Sequence, residues 1–79
     1  MNLEKLNARR FAEVTTHDTN PLSFGAFALY IGGAGNVKVT NSAGDVATFT
    51  AVPAGTVLNV HARIVWATGT TATAIVALA

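Results

Sequence analysis

Apolar and polar residues alternate through most of this sequence, and this pattern restricts the chain to β-structure. Between residues 58 and 66 every second residue is apolar, as expected of an antiparallel strand with one buried face. The same period of two recurs in residues 27–31, 37–40, 48–50 and 71–78. The apolar set of the first run comprises Leu58, Val60, Ala62, Ile64 and Trp66, and the polar set comprises Asn59, His61 and Arg63.

Turn-forming residues separate these runs at residues 32–35, 41–45, 53–55 and 68–69. Glycine and proline at such spacing predict a meander or Greek-key arrangement, with the glycine-rich residues 32–35 as a hairpin connection. We therefore predict an all-β fold, a small antiparallel sandwich or jelly-roll-like barrel of five to six strands. Its predicted core comprises Leu29, Phe49, Leu58, Val60, Ile64 and Trp66.

Charged side chains are concentrated near the start of the sequence. Six of the nine precede residue 20, and only Lys38, Asp45 and Arg63 follow Gly25. Because a free monomer surface is usually about 25–35% charged, the uncharged remainder predicts a surface covered by neighbouring subunits. The chain has no cysteine, so oligomerisation is the expected way to stabilise so small a domain. The alternative is a threonine-rich soluble domain.

The composition changes near Pro21, which divides the chain into an N-terminal arm and linker (residues 1–23) and a β domain (residues 24–79). Apolar residues in the arm fall on one side of a helical wheel, which predicts an extended or partly helical arm with a helix over residues 2–14. Such an arm either docks on a partner or frays as a chain end. The apolar positions are Leu3, Leu6, Phe11 and Val14.

The charge balance and hydropathy limit the expected partners. A net charge of +1 gives no reason to expect nucleic acid. No run approaches the ~18 apolar residues of a membrane helix, so no membrane partner is expected. The first fifteen residues contain five charges and no apolar run, so no secretory signal is predicted.

Candidate catalytic groups are few. A hydrolase needs a nucleophile, an orienting acid and a base, and Ser42, Asp45 and His61 could supply one of each. Ser42 and Asp45 share a tight turn, however, where serine and aspartate side chains commonly cap the backbone. His17 and His61 have no third ligand at a metal-binding spacing. We expect no enzyme activity, no cofactor and no metal.

Interaction residues are the remaining functional candidates. The predicted interface set comprises Tyr30, Asn59, His61, Arg63, Arg9 and Arg10. A glycan-binding attachment module that uses Tyr30, Asn36 and His61 is an alternative from a different functional class.

Three sequence blocks carry a family resemblance. They are ALYIGGAGNVKV at residues 28–39, VPAGT at 52–56 and IVWATGTTA at 64–72, and VAL at 76–78 follows them. In this order and spacing they resemble the small head spike base proteins of tailed bacteriophages and gene transfer agents. The arm before Pro21 has no counterpart in that resemblance.

The resemblance implies a virion structural protein. It implies a β-structured subunit in a homo-oligomeric ring, with a pentamer favoured, on the fivefold vertices of the capsid exterior. The implied partners are the major capsid protein and a spike or fibre protein, with assembly in the host cytoplasm. A trimeric capsid decoration (cement) protein between capsomers is the alternative within this class.

Overall fold

A computed structural model describes residues 9–22 and 24–79, which form seven strands. The all-β prediction is confirmed, although the described residues contain seven strands instead of five or six. One added strand comes from the N-terminal arm, and another arises because the run at residues 56–66 is divided in two. The strands are β1 (Phe11–Glu13), β2 (Ala28–Gly33), β3 (Gly35–Thr40), β4 (Val46–Val52), β5 (Thr56–Leu58), β6 (Ile64–Val65) and β7 (Thr73–Leu78).

The strands form two antiparallel sheets that pack together as a small sandwich. The four-stranded sheet has the order β1-β7-β2-β5, and the three-stranded sheet has the order β4-β3-β6. The inner faces of both sheets carry the alternating apolar residues. The largest fully buried side chains are Leu29 and Ile31 from the first sheet, and Val37 and Val65 from the second.

The predicted core residues differ in how deeply their side chains are buried. Leu29 and Ile64 are buried, and Phe49 and Leu58 are partly buried against the core cluster. Val60 and Trp66 are half-buried.

Residues 56–66 do not form the continuous strand that the alternation predicts. β5 pairs with β2 in one sheet, whereas β6 pairs with β3 in the other, so the chain crosses between sheets at residues 59–63. The crossing changes which residues face inward. Val65 pairs with the inward-facing Val39, and the neighbouring Trp66 therefore lies on the outer side.

Residues 32–35 also differ from the prediction, because they do not connect a hairpin. β2 pairs with β5 and β7, whereas β3 pairs with β4 and β6, so the chain changes sheets at Ala34. Glycine is required here because the backbone passes close to residues 71–74. A Cβ atom on Gly35 would lie 2.5 Å from the Ala72 nitrogen, and one on Gly32 would lie 2.7 Å from the Ala74 carbonyl oxygen.

The helix prediction for residues 2–14 is wrong at Phe11–Glu13, which form β1 at the edge of the four-stranded sheet. Residues 2–8 lie outside the described part of the chain. A short helix is marginal without packing, whereas β1 gains ladder hydrogen bonds from the free edge of β7. In the strand, Phe11 points away from the core and is 70% exposed.

The segment after β1 runs beside β6. The backbone N–H of His17 donates to the Val65 carbonyl (2.9 Å), and that of Leu22 donates to the Arg63 carbonyl (2.7 Å). The segment therefore covers an edge of the three-stranded sheet that β6 would otherwise expose. The division of the chain at residue 23 stays a prediction.

Candidate functional site

Four of the six predicted interface residues lie at one end of the sandwich, on segments that backbone hydrogen bonds hold together. Ala26 and Ala62 exchange two backbone hydrogen bonds of 2.9 and 3.0 Å, which place residues 24–26 beside residues 61–63. A Cβ atom on Gly25 would lie 3.6 Å from His61 Cε1. The four residues, which we call the basic end, are Arg9, Arg10, His61 and Arg63.

Backbone and ring contacts hold the arginines of the basic end in place. The N–H groups of Arg9 and Arg10 donate to the Ala79 carbonyl (2.7 and 2.6 Å), and Ala79 donates back to Arg10 (2.8 Å). The Arg10 guanidinium carbon lies 4.4 Å from the centre of the Phe24 ring, in a cation–π arrangement. All four side chains of the basic end are exposed, so the three guanidinium charges are available to an acidic surface.

The other two predicted interface residues lie elsewhere. Asn59 is exposed just after the end of β5. Tyr30 is 40% exposed at the centre of the four-stranded sheet, and its side chain points away from the core.

The outer face of the four-stranded sheet is mostly apolar. Cross-strand register aligns Glu13, Val76, Tyr30 and Val57 in one row across all four strands. Phe11 and Leu78 are aligned in the next row. We call these six residues the apolar face.

The outer face of the three-stranded sheet has a different composition. Lys38 is paired with Thr48, and Thr40 is paired with Val46. The side chains of Val46, Thr48 and Thr50 are exposed on the edge strand β4. We call Lys38, Val46, Thr48 and Thr50 the hydroxyl face.

Trp66 and Lys38 interact on this outer side. The Trp66 indole N–H donates to the Thr40 hydroxyl (2.8 Å), and the Lys38 ammonium lies 4.2 Å from the centre of the indole ring. The indole thus fixes the Lys38 side chain. Because the ammonium occupies a face of the ring, that face is not open for stacking with a sugar.

Asn36 has a structural role that sequence reasoning missed. Its side-chain Oδ1 accepts from the Ala51 N–H (3.0 Å), and its backbone N–H donates to the Thr71 hydroxyl (2.8 Å). Ala51 has a left-handed backbone (φ 53°) at the irregularity in the β3–β4 pairing. An asparagine directly after the glycine-rich run is a turn signal in sequence, but its partners are distant and could not be identified from the sequence.

A second missed feature is the contact between Asp18 and Thr68. Asp18 Oδ1 accepts from the Thr68 N–H (2.8 Å), and Oδ2 accepts from the Thr68 hydroxyl (2.7 Å). These bonds stabilise the ionised carboxylate, first through the backbone N–H, and lower the pKa of Asp18 below its ordinary value. The two hydrogen bonds hold the N-terminal segment against the loop that follows β6.

We expect Asp18→Asn to be less stable than the wild-type chain near neutral pH. A carboxyl group with a lowered pKa in the folded state stabilises the fold above its unfolded pKa, and this contribution is lost as the pH falls through the folded pKa. The difference in urea midpoint between the two proteins should therefore shrink on acidification. An equal difference at neutral and acidic pH would show that the ionised form is not what Thr68 stabilises.

The described residues offer little for catalysis. They contain no group of three or more histidine, cysteine, aspartate or glutamate side chains that could hold a metal. Asp45 is engaged in its own turn, where its backbone N–H donates to Asn41 Oδ1 (2.9 Å) and its carboxylate accepts from Asn41 Nδ2 (3.2 Å). Two hollows beside β1 have volumes of about 280 and 270 Å³, just below the usual size of a small-molecule pocket, about 300–1,000 Å³. No helix among the described residues is long and apolar enough to cross a membrane.

Comparisons with known proteins identify a relative among the solved structures. No protein-family model matches the sequence. No curated protein sequence matches it at a significant level. The chain is similar to a protein in the capsid of a native gene transfer agent particle, whose structure was computed with C5 symmetry. The two chains are 34% identical, with a TM-score of 0.85, and the similarity covers 100% of this chain and 90% of the other. The chain therefore belongs to the family of this gene transfer agent capsid component and is a virion structural protein.

Proposed function

We propose that this chain is a head-vertex spike base. Five copies form a ring on the exterior of the capsid at a fivefold vertex, bind the major capsid protein, and anchor a spike or fibre. The particle assembles in the host cytoplasm, and the role of the chain is structural, with no catalysis or cofactor.

The full-length similarity to the capsid component of the gene transfer agent particle carries this proposal. The similarity spans both sheets and the N-terminal segment, so it supports a common way of assembling as well as a common fold. The C5 symmetry of that structure supports a position for this chain on a fivefold axis of its own capsid. Closed rings repeat one contact between identical subunits, and a small β-sandwich with two different outer faces suits such a contact.

The uncharged surface of the sandwich supports assembly with further copies. Four large apolar side chains among the described residues are exposed, and three of them belong to the apolar face. Edge strand β4 contains no charged residue or proline that would discourage pairing with another chain. A virion subunit that stays assembled has no need of that protection.

The basic end supports a second contact with a different partner. Its three arginines and one histidine lie at the end of the sandwich where β1 begins and β7 ends. We assign this end to an acidic surface of the capsid protein or the spike protein. Charge complementarity of this kind sets register and association rate more than affinity.

Two alternatives make different predictions. A decoration protein between capsomers would be a trimer, and the described surface does not favour a threefold contact over a fivefold one. A glycan-binding module would need Tyr30, Asn36 and His61 to converge. Instead, Asn36 and His61 lie beyond opposite ends of β2, and the Asn36 side chain is bonded to Ala51.

Native mass spectrometry of the purified full-length chain tests the proposal. We expect a pentamer, because the ring should form from identical contacts without the capsid. The expected location is then checked by labelling the protein on intact particles and imaging the fivefold vertices. A trimer would assign the protein to a decoration site, and a stable monomer would contradict the ring.

A further inference from the structure

The apolar face and the hydroxyl face carry opposite charges. Glu13 is the one charged residue of the apolar face, and Lys38 is the one charged residue of the hydroxyl face. Each is surrounded by uncharged side chains, since Glu13 is aligned with Val76 and Tyr30, and Lys38 is paired with Thr48. A single charge in an uncharged surface favours a partner that presents the opposite charge at the matching place.

The exposed apolar side chains are divided between the same two faces. Phe11 (70% exposed), Val57 (46%) and Tyr30 (40%) belong to the apolar face. The fourth, Val46 (51%), belongs to the hydroxyl face. The two faces are therefore complementary in charge, and both gain from being covered.

The two faces lie on opposite sides of the sandwich. The apolar face is on the outer side of the four-stranded sheet, and the hydroxyl face is on the outer side of the three-stranded sheet. One copy cannot bring its own faces together, but it can bind two neighbours, one on each side. A contact between different surfaces of identical subunits is heterologous, and it builds rings or filaments instead of stopping at a dimer.

We propose that the apolar face of one copy packs against the hydroxyl face of the next copy, with Glu13 opposite Lys38. This inference rests on the proposed ring and names the surfaces that build it. Lys38 is already held at the surface by the Trp66 ring, at 4.2 Å from its centre, so little side-chain freedom is lost when Glu13 approaches. Val46 then covers part of the apolar face, and the basic end stays free for other virion proteins.

Charge reversal tests the contact in the full-length protein. Glu13→Lys and Lys38→Glu should each weaken assembly by at least tenfold in the concentration dependence of the native mass, since each places like charges opposite one another. The double variant restores the opposite charges in reverse order and should recover assembly. Asp45→Lys is the control, because it changes the net charge as much as Glu13→Lys in the exposed turn at residues 41–45, outside both faces and the basic end.

Zero-length carbodiimide coupling supplies an independent measurement. The reagent joins a carboxylate to an amine as an amide, and the lost oxygen leaves in the urea by-product. Because Glu13 and Lys38 lie on opposite sides of one copy, a bond between them must join two copies. We expect a ladder beyond dimers, with Glu13–Lys38 peptides in mass spectrometry, and loss of those peptides in Lys38→Arg, which keeps the charge but removes the reactive amine.

The outcomes separate this inference from the proposed function. Assembly unchanged in both single variants, or a double variant as weak as either single one, would overturn the Glu13–Lys38 contact while leaving the ring intact. A wild-type chain that remains monomeric would instead contradict the proposed function itself. Thermal midpoints of Glu13→Lys and the control should stay close to wild type, whereas those of Lys38→Glu and the double variant should fall slightly, because these two lose the contact between Lys38 and the Trp66 ring.

Discussion

Gly35→Ala should destabilise the fold by about 3–5 kcal/mol, the largest effect we expect from any single change in this chain. The new Cβ atom would lie 2.5 Å from the Ala72 nitrogen and 2.8 Å from both the Ala72 Cα and the Thr71 carbonyl carbon. All three are backbone atoms, so no side chain can move aside to make room. The backbone at Gly35 (φ +156°) adds strain for any other residue. Urea unfolding followed by tryptophan fluorescence would measure the loss.

Gly44→Ala is the matched control for this change. Gly44 also has a positive φ (+90°), but a Cβ atom there would have no neighbour within 4 Å. We therefore expect a loss of only about 1 kcal/mol from backbone strain. Similar losses in the two variants would mean that the close approach of residues 35 and 72 does not limit stability.

Trp66→Ala should have the next largest effect, a loss of about 3 kcal/mol. The change removes half-buried aromatic area, the cation–π contact with Lys38, and the hydrogen bond to the Thr40 hydroxyl. Thr40 is 5% exposed, so water cannot readily replace the lost donor. The free energy of unfolding from urea titration, followed by circular dichroism, would quantify the loss.

Trp66→Phe separates these contributions. It keeps a ring beneath the Lys38 ammonium but removes the N–H that Thr40 accepts, so we expect a loss of about 1 kcal/mol. If Trp66→Ala changed stability by less than about 0.5 kcal/mol, the value typical of an open surface site, the indole would contribute nothing to the fold.

The sequence was sufficient to predict most of the strands, but not β1, the division between β5 and β6, or the assignment of strands to sheets. Alternation identified the inward positions of β2 and β3, because a period of two is a local property. The crossings at Ala34 and at residues 59–63 could not be predicted, since they depend on which distant strand each segment meets. Glycines at residues 32–35 indicated a bend, but the reason for them is the close approach to β7.

The N-terminal segment shows the limit of a helical pattern. Leu3, Leu6, Phe11 and Val14 fit a helical wheel, yet Phe11–Glu13 form a strand because β7 offers a free edge. Propensity in a short segment is weak compared with such tertiary pairing.

The proposed interface residues differ in how far the sequence alone could indicate them. Exposed basic residues and Tyr30 could be selected from the sequence. The apolar face could not be predicted, because it exists only when β1, β7, β2 and β5 lie in register. Glu13 gains its place in the apolar face from that register alone.

The central place of β7 in the four-stranded sheet has a consequence for how the subunit forms. β7 lies between β1 and β2, although β1 ends 60 residues and β2 ends 40 residues before β7 begins, so neither can join a complete sheet until residues 73–78 have been synthesised. Pairings over such long sequence separations slow folding. The apolar face, which needs all four strands, therefore appears only at the end of folding.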